Sequence, residues 1–363
     1  MSSRLPAKTS KNRLARLFAN LKGIGVVLIA NTGIVDPNFH YLTGFTSGLF
    51  ESSLLLAHKD HMYLFTYSLE YETGLEERPE NMSVINVMDD VKAAKALLSR
   101  LLKGKKVGFD GEFLPFEAYR HIQSAYRPNK MIDISDGLRS VRLVKDEAEL
   151  SNIKKAVRIT KTAMREIPKY FKEGMTELQL MARFDFIQLS LGANESARYN
   201  IVAFGKNTAL PHHFSNSTKL KKGDLVIIDA GAVVNNYYSD ISRTFIFGGA
   251  GSAKQRDMLQ TVKEAQKMAI GLAKPGKEWM GMHDMAAKFL DTTRDGRYKG
   301  EFVHAIGHSI GLEMHDNPAS YLRTRKLEPG MVITVEPGVY EVGFGGVRIE
   351  DDILITKKGY KIL

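Results

Sequence analysis

The chain has 363 residues, 51 Lys+Arg against 41 Asp+Glu, and no cysteine. At about 150 residues per domain that length predicts two domains, and the absence of Cys excludes a disulfide scaffold, a thiolate zinc site, an iron–sulfur cluster and a thiol nucleophile. The net charge of +10 favours acidic partners, yet its clusters (Arg4 to Arg16, and Lys219, Lys221 and Lys222) come with no RNA-binding or helix-turn-helix signature, so nucleic acid is not the expected partner.

Arg13 to Leu21 has the spacing of a short amphipathic helix, and Gly25-Val-Val-Leu-Ile-Ala30 reads as a buried strand. Asn31-Thr-Gly33 turns the chain toward Tyr41-Leu-Thr-Gly44. Ser53 to Ala57 and Met62 to Thr66 are two strands joined by a polar connector. A helix over Val91 to Leu102 and a strand over Lys106 to Asp110 complete an α/β domain, assigned to residues 1–138. The remainder, 139–363, reads as α+β. Asp146-x-x-Glu149, Thr176-x-x-Gln179 and Ser252-x-x-Gln255 each fit a capping box and predict three helix starts. Leu225 to Ile228 and Met331 to Val335 are strand-like. No run approaches the roughly 18 apolar residues of a membrane span, and no apolar region with a small-residue cleavage site follows the basic N-terminus. The expectation is a soluble, cytoplasmic protein without membrane contact.

The second domain contains a weak internal repeat. Leu220-Lys-Lys-Gly-Asp-Leu-Val-Ile-Ile-Asp-Ala-Gly231 aligns with Leu327-Glu-Pro-Gly-Met-Val-Ile-Thr-Val-Glu-Pro-Gly338. Gly223 and Gly330 stand 107 residues apart, as do Asp229 and Glu336. Each copy carries a second carboxylate next to a strand, Asp240 and Glu350, which suggests a pseudo-twofold site at the junction of the copies. Carboxylates ending buried strands are costly unless a cation balances them. His212, His213, His283, His304, His308 and His315 are six of the chain's ten histidines. Four carboxylates with one or two imidazoles form a hard, oxygen-rich site suited to two divalent ions such as Mn²⁺, Co²⁺ or Zn²⁺, which would acidify a water nucleophile toward neutral pH.

Asp229-Ala-Gly231, Ser239-Asp240, Gly307-His-Ser-Ile-Gly-Leu-Glu-Met-His-Asp316, Glu336-Pro-Gly338 and Gly346-Val-Arg-Ile-Glu350 together resemble the motifs of the pita-bread metallopeptidases. Proline dipeptidases and aminopeptidase P are the nearest types. The first domain, with its Tyr-Leu-Thr-Gly44 phrase, is similar to their creatinase-type N-domain, which methionine aminopeptidases lack. The resemblance implies an α/β N-terminal domain followed by an α+β pita-bread catalytic domain. Asp229, Asp240, His308, Glu336 and Glu350 would then be ligands of two divalent ions. Glu336 would also relay a proton, and His212 and His315 would be catalytic. His213 competes with His212 but matches no family position. His304 would line the substrate pocket, and Arg348 would stand beside the substrate, orienting a bridging carboxylate. Tyr199, Phe204 and Tyr340 are possible walls.

Two departures accompany the resemblance. Ser309 replaces the glycine that commonly follows the ligand histidine. Asn317-Pro318 is followed by Ala319, where some prolidases carry an arginine. Arg323 or Arg325 would then supply the carboxylate clamp. The implied reaction is hydrolysis of an Xaa-Pro bond in a small peptide with proline second, by a homodimer. Aminopeptidase P action on longer peptides is the alternative. A metal-free binding scaffold and a metal-free creatinase-type C–N hydrolase are the readings from other classes.

Overall fold

The computed structural model describes residues 4–317 and 319–363. Pro318, part of the Asn317-Pro318-Ala319 departure, lies outside them. The chain divides into two compact units, Met1–Arg142 and Leu143–Leu363.

The first unit is an α/β domain. In chain order it contains α1 (Ala7–Ala19), β1 (Val26–Ala30), α2 (Pro37–Thr43), β2 (Leu54–Ala57), β3 (Met62–Thr66), α3 (Ser68–Glu77), β4 (Met82–Asn86), α4 (Val91–Leu102), β5 (Lys106–Phe109), α5 (Phe116–Tyr126), β6 (Lys130–Asp133) and α6 (Ser135–Leu143). The six strands form one mixed sheet in the order β4-β3-β2-β1-β5-β6. β1 is central and covered on both faces, which explains its uninterrupted apolar run. Val26, Leu28 and Leu56 pack against Leu98 and Leu102 of α4 and Ile122 of α5. The first helix starts six residues before the amphipathic pattern suggested, with Pro6 at its N-cap. The Tyr41-Leu-Thr-Gly44 phrase is the end of α2, closed by Gly44 in a left-handed conformation (φ 72°).

The second unit holds α7 (Glu147–Glu166), α8 (Glu177–Ser190), β7 (Glu195–Ser196), β8 (Ile201–Phe204), β9 (Leu225–Ala230), β10 (Ala232–Val234), β11 (Tyr237–Tyr238), β12 (Ile241–Ile246), α9 (Ala253–Gly271), α10 (Trp279–Thr292), α11 (Ala319–Leu322), β13 (Val332–Val335), β14 (Gly338–Glu341), β15 (Gly345–Arg348), β16 (Asp351–Thr356) and β17 (Gly359–Ile362). All three expected capping boxes are formed, at the starts of α7, α8 and α9. In the first, the Asp146 N–H donates to Glu149 Oε2 (2.9 Å) and the Glu149 N–H to Asp146 Oδ1 (3.0 Å).

The sequence repeat becomes two antiparallel three-stranded sheets, β12-β9-β8 and β13-β16-β17. In the first, Asp229 lies opposite Ser242. In the second, Thr334 lies opposite Asp352 and Val335 opposite Asp351. Trp279, Met282 and Ala286 of α10 bury the outer face of the second sheet with Ile333, Val335 and Ile353. Met258 and Val262 of α9 cover Leu225, Val339 and Val347. Apolar cover on one face leaves the polar ends of the central strands for the opposite side, where the carboxylates gather.

Candidate active site

Each copy of the repeat delivers a carboxylate at the C-terminal end of one strand and another at the N-terminal end of its neighbour. Asp229 is on β9 and Asp240 immediately precedes β12. Glu336 immediately follows β13 and Glu350 immediately precedes β16. A loop segment runs beside β13 and brings in the imidazole. The Glu336 N–H donates to Ile306 O (2.8 Å), the Thr334 N–H to His308 O (2.8 Å), and the His308 N–H to Thr334 Oγ1 (3.0 Å). These approaches demand glycine. A Cβ at Gly307 would collide with the Thr334 carbonyl oxygen, and one at Gly231 with that of Ser239.

Asp240, His308 and Glu350 are all buried and present one ligand atom each within 4.8 Å of one another. His308 Nδ1–H donates to Ser309 O (3.2 Å), which turns Nε2 toward Asp240 Oδ2 at 3.5 Å and Glu336 Oε1 at 3.6 Å. Asp240 Oδ1 and Glu350 Oε1 are buried without a hydrogen-bond partner among the described residues. Such orphan oxygens are costly. Burial, reinforced by repulsion from Asp229, pushes Asp240 well above the usual carboxylate range. Burial and the neighbouring carboxylates do the same to Glu350, and burial raises Glu336 to about 7. The donor set fits a hard divalent cation, which would satisfy the orphan oxygens and the imidazole together.

Asp229 behaves oppositely. Burial would raise it, but the Arg348 guanidinium and hydrogen bonding hold it below its ordinary value. Arg348 Nη2 donates to Asp229 Oδ2 (2.5 Å), Nε to Ser242 Oγ (3.1 Å), and Nη1 to Tyr340 Oη (2.8 Å) and Pro211 O (3.3 Å). Ser242 Oγ in turn donates to Glu350 Oε2 (2.7 Å). Arg348 therefore orients carboxylates, with four of its five N–H donors committed to protein, rather than reaching for substrate as its main task.

The carboxylates and imidazoles lie in a cavity of about 650 Å³ walled by His212, His304, His308 and His315, with Asp229, Asp240, Glu336, Glu350 and Arg348. The His308 and His315 rings are 4.1 Å apart. Burial, aided by His308, lowers His315 to about 4, and burial lowers His304 to about 4. Both imidazoles are neutral at pH 7. His304 Nδ1–H donates to Ala305 O (2.8 Å), so its Nε2 accepts from Tyr340 Oη (2.8 Å). Both nitrogens are occupied, and His304 offers the cavity its ring rather than a free hydrogen-bonding atom.

Other expectations need correction. Arg323 and Arg325 are not in the cavity wall. Arg323 is exposed, and Arg325 donates to Tyr321 Oη (2.6 Å). Of the three aromatics, Tyr199 lines the cavity and Phe204 is core. Tyr340 is buried, its hydroxyl bridging Arg348 and His304. His213 pairs with Glu177 (2.7 Å) and so fixes the loop that presents His212. His283 lies on α10, outside the wall.

Several site residues escaped sequence reasoning. Ser242 links Arg348 to Glu350. Asp352, fully buried, accepts from the Asp240 N–H (3.0 Å). Its only sequence signal is the unusual Glu350-Asp351-Asp352 run. Glu177 gathers the Phe204 N–H (2.8 Å), the Asn216 N–H (2.9 Å), Asn207 Nδ2 (2.9 Å) and His213. Lys145 donates to Asp316 Oδ2 (3.0 Å) and Ser309 Oγ (3.2 Å), inside the loop carrying His308 and His315.

Pseudo-symmetric carboxylates around a buried imidazole define a metallopeptidase-type site, and comparison with known proteins places it in a family. Residues 151–357 match metallopeptidase family M24, and residues 13–144 match the creatinase/prolidase N-terminal domain. The chain belongs to the M24 pita-bread metallopeptidases with a creatinase-type N-domain. It is 34% identical over 348 residues to the Xaa-Pro dipeptidase of Pyrococcus horikoshii, covering 95% of this chain and 94% of the relative. The crystal structure of the prolidase from Pyrococcus horikoshii OT3 superposes with a TM-score of 0.84 at 32% identity, covering 97% of each chain. That of an X-Pro aminopeptidase from Thermotoga maritima MSB8 gives 0.86 at 32% identity, covering 95% of this chain and 96% of the other. Among the described residues no helix is long and apolar enough to cross a membrane.

Proposed function

We propose that this chain is a divalent-metal-dependent Xaa-Pro dipeptidase, with Asp229, Asp240, His308, Glu336 and Glu350 holding two ions of Mn, Co or Zn. The observation that carries the reading is the buried Asp240, His308 and Glu350 cluster with its two orphan oxygens, at the floor of an imidazole-walled cavity. Bound divalent ions supply Lewis-acid polarisation of the scissile carbonyl and acidify water.

The chain's own groups do the rest. Arg348 and Ser242 hold Asp229 and Glu350 in place. Glu336 receives a proton from the attacking water and returns it to the departing proline nitrogen. Neutral His315 donates an N–H to the developing oxyanion, with His212 on the substrate side. An Xaa-Pro bond suits such a cavity because its tertiary amide has no N–H and its ring fixes φ, so recognition by backbone pairing is weak. Relatives at the same level of similarity include both a prolidase and an X-Pro aminopeptidase, so substrate length is the point to test. By family likeness we assign a homodimer, which light scattering of the purified protein checks.

The test is proline release from Ala-Pro against Ala release from Ala-Pro-Ala, using metal-stripped protein with Mn²⁺, Co²⁺ or Zn²⁺ restored. Preference for the dipeptide supports the reading. Preference for the tripeptide makes the chain an aminopeptidase, and no hydrolysis with any metal overturns the peptidase assignment.

A further inference from the structure

Among the described residues the cavity wall holds two guanidinium groups, Arg198 and Arg348, in opposite states. Arg348 is buried and bonded to Asp229, Ser242, Tyr340 and Pro211. Arg198 is exposed and makes no ion pair or hydrogen bond among the described residues. Its guanidinium carbon is 5.8 Å from the Tyr199 ring, and its charge also reaches the Tyr238 hydroxyl.

The backbone under Arg198 is pinned on both sides. Ser196 pairs with Ala232 and Ile201 with Asp229 across adjoining strands. The Ala197 N–H donates to Gly231 O (2.9 Å), and the Gly231 N–H to Asn200 Oδ1 (2.9 Å). Arg198 therefore projects from a fixed segment registered against the strand that bears Asp229. Met181, Ile201, Phe214 and Met314 share its wall, and apolar neighbours strengthen any ion pair formed there.

Building on the Xaa-Pro hydrolase reading, we infer that Arg198 recognises a carboxylate of the substrate. With the floor carboxylates engaged by divalent ions, a substrate carboxylate beyond the scissile bond needs its own cation on the wall. Arg198 is the guanidinium there with donors to spare, and its planar fork suits bidentate capture of a carboxylate. It takes the place that Arg323 and Arg325, outside the wall, do not fill. Two sources share this chemistry: the free C-terminus of a dipeptide, and an acidic side chain before the proline.

The experiment uses the full-length, Mn²⁺-loaded protein as wild type, Arg198→Met and Arg198→Lys. Substrates are Ala-Pro with its C-terminal amide, and Glu-Pro amide with Gln-Pro amide. If Arg198 holds the C-terminal carboxylate, Arg198→Met raises KM for Ala-Pro by roughly ten- to a hundredfold. KM for the amide then moves less than about twofold, kcat changes little, and Arg198→Lys recovers part of the loss. If it holds an acidic side chain, that pattern appears instead between Glu-Pro amide and Gln-Pro amide. Equal shifts for charged and neutral members of both pairs, or no shift, overturn the inference while leaving Xaa-Pro hydrolysis standing. A wild type that cleaves no Xaa-Pro substrate removes the functional reading and this inference with it.

Discussion

Two loops bring histidines to the cavity, and each is tied down through the residue after a cavity imidazole. His213, following His212, pairs with Glu177. Asp316, following His315, pairs with Lys145. The two anchors are physically different. Glu177 is a hydrogen-bond hub at the start of α8, serving two backbone N–H groups and two side chains. The Lys145 and Asp316 side chains are 0% and 1% exposed, an ion pair whose stability depends on neither charge being left alone. The first loop tolerates graded losses, whereas the second rests on one buried cation beside a buried carboxylate, so removing either member costs much at once.

Breaking the second anchor should have the largest effect. Lys145→Met removes the cation beside the buried Asp316 carboxylate and is expected to cost about 3–5 kcal/mol in denaturant unfolding. Adding Asp316→Leu should recover most of that loss. A single-variant cost below about 1 kcal/mol would remove the distinction between the loops.

Glu177→Gln is the milder counterpart. It keeps one carbonyl acceptor and loses the charge-assisted bond to His213, with an expected cost of about 1–3 kcal/mol by the same measurement. Its KM for Ala-Pro should rise more than kcat falls, because the loop it frees carries His212 and none of the acid cluster.

Metal removal separates the loops in a third way, since only residues 308–317 include a member of that cluster. Amide exchange should accelerate there and change little over residues 211–216. In the metal-free protein Glu336 titrates near 7 instead of 4.5. The folded state therefore holds more protons than the unfolded one between those values, and this carboxyl's contribution to stability falls as pH rises through the window. Binding a cation reverses the sign by displacing the proton. Calorimetric Mn²⁺ affinity should weaken by about tenfold per pH unit below 7 for each proton released.

The smallest expected effect belongs to His304, held near 4 against an ordinary value of 6.5. As pH falls from 6.5 to 4 the unfolded chain takes up this proton first, so stability drops across that window. His304→Gln should flatten the drop in urea titrations at pH 7.0, 5.5 and 4.5. An unchanged slope would mean that the Tyr340 and Ala305 hydrogen bonds do not keep this ring neutral.

The amino-acid sequence alone determined what depends on short spacings. Capping boxes at Asp146, Thr176 and Ser252 are three-residue patterns, and the matching strand-end carboxylates Asp229 and Glu336 follow from a repeated frame. Central strands such as Val26–Ala30 announce themselves by burial on both faces. Tertiary structure alone decided what crosses long stretches of chain. Lys145 and Asp316 are 171 residues apart, Arg348 and Asp229 119, and His213 and Glu177 36. No periodicity encodes such pairs, because a charged side chain is placed by whichever buried partner lowers its desolvation cost. For that reason Arg323, only eight residues beyond His315, lies outside the cavity while Arg198, more than a hundred residues before it, stands in its wall.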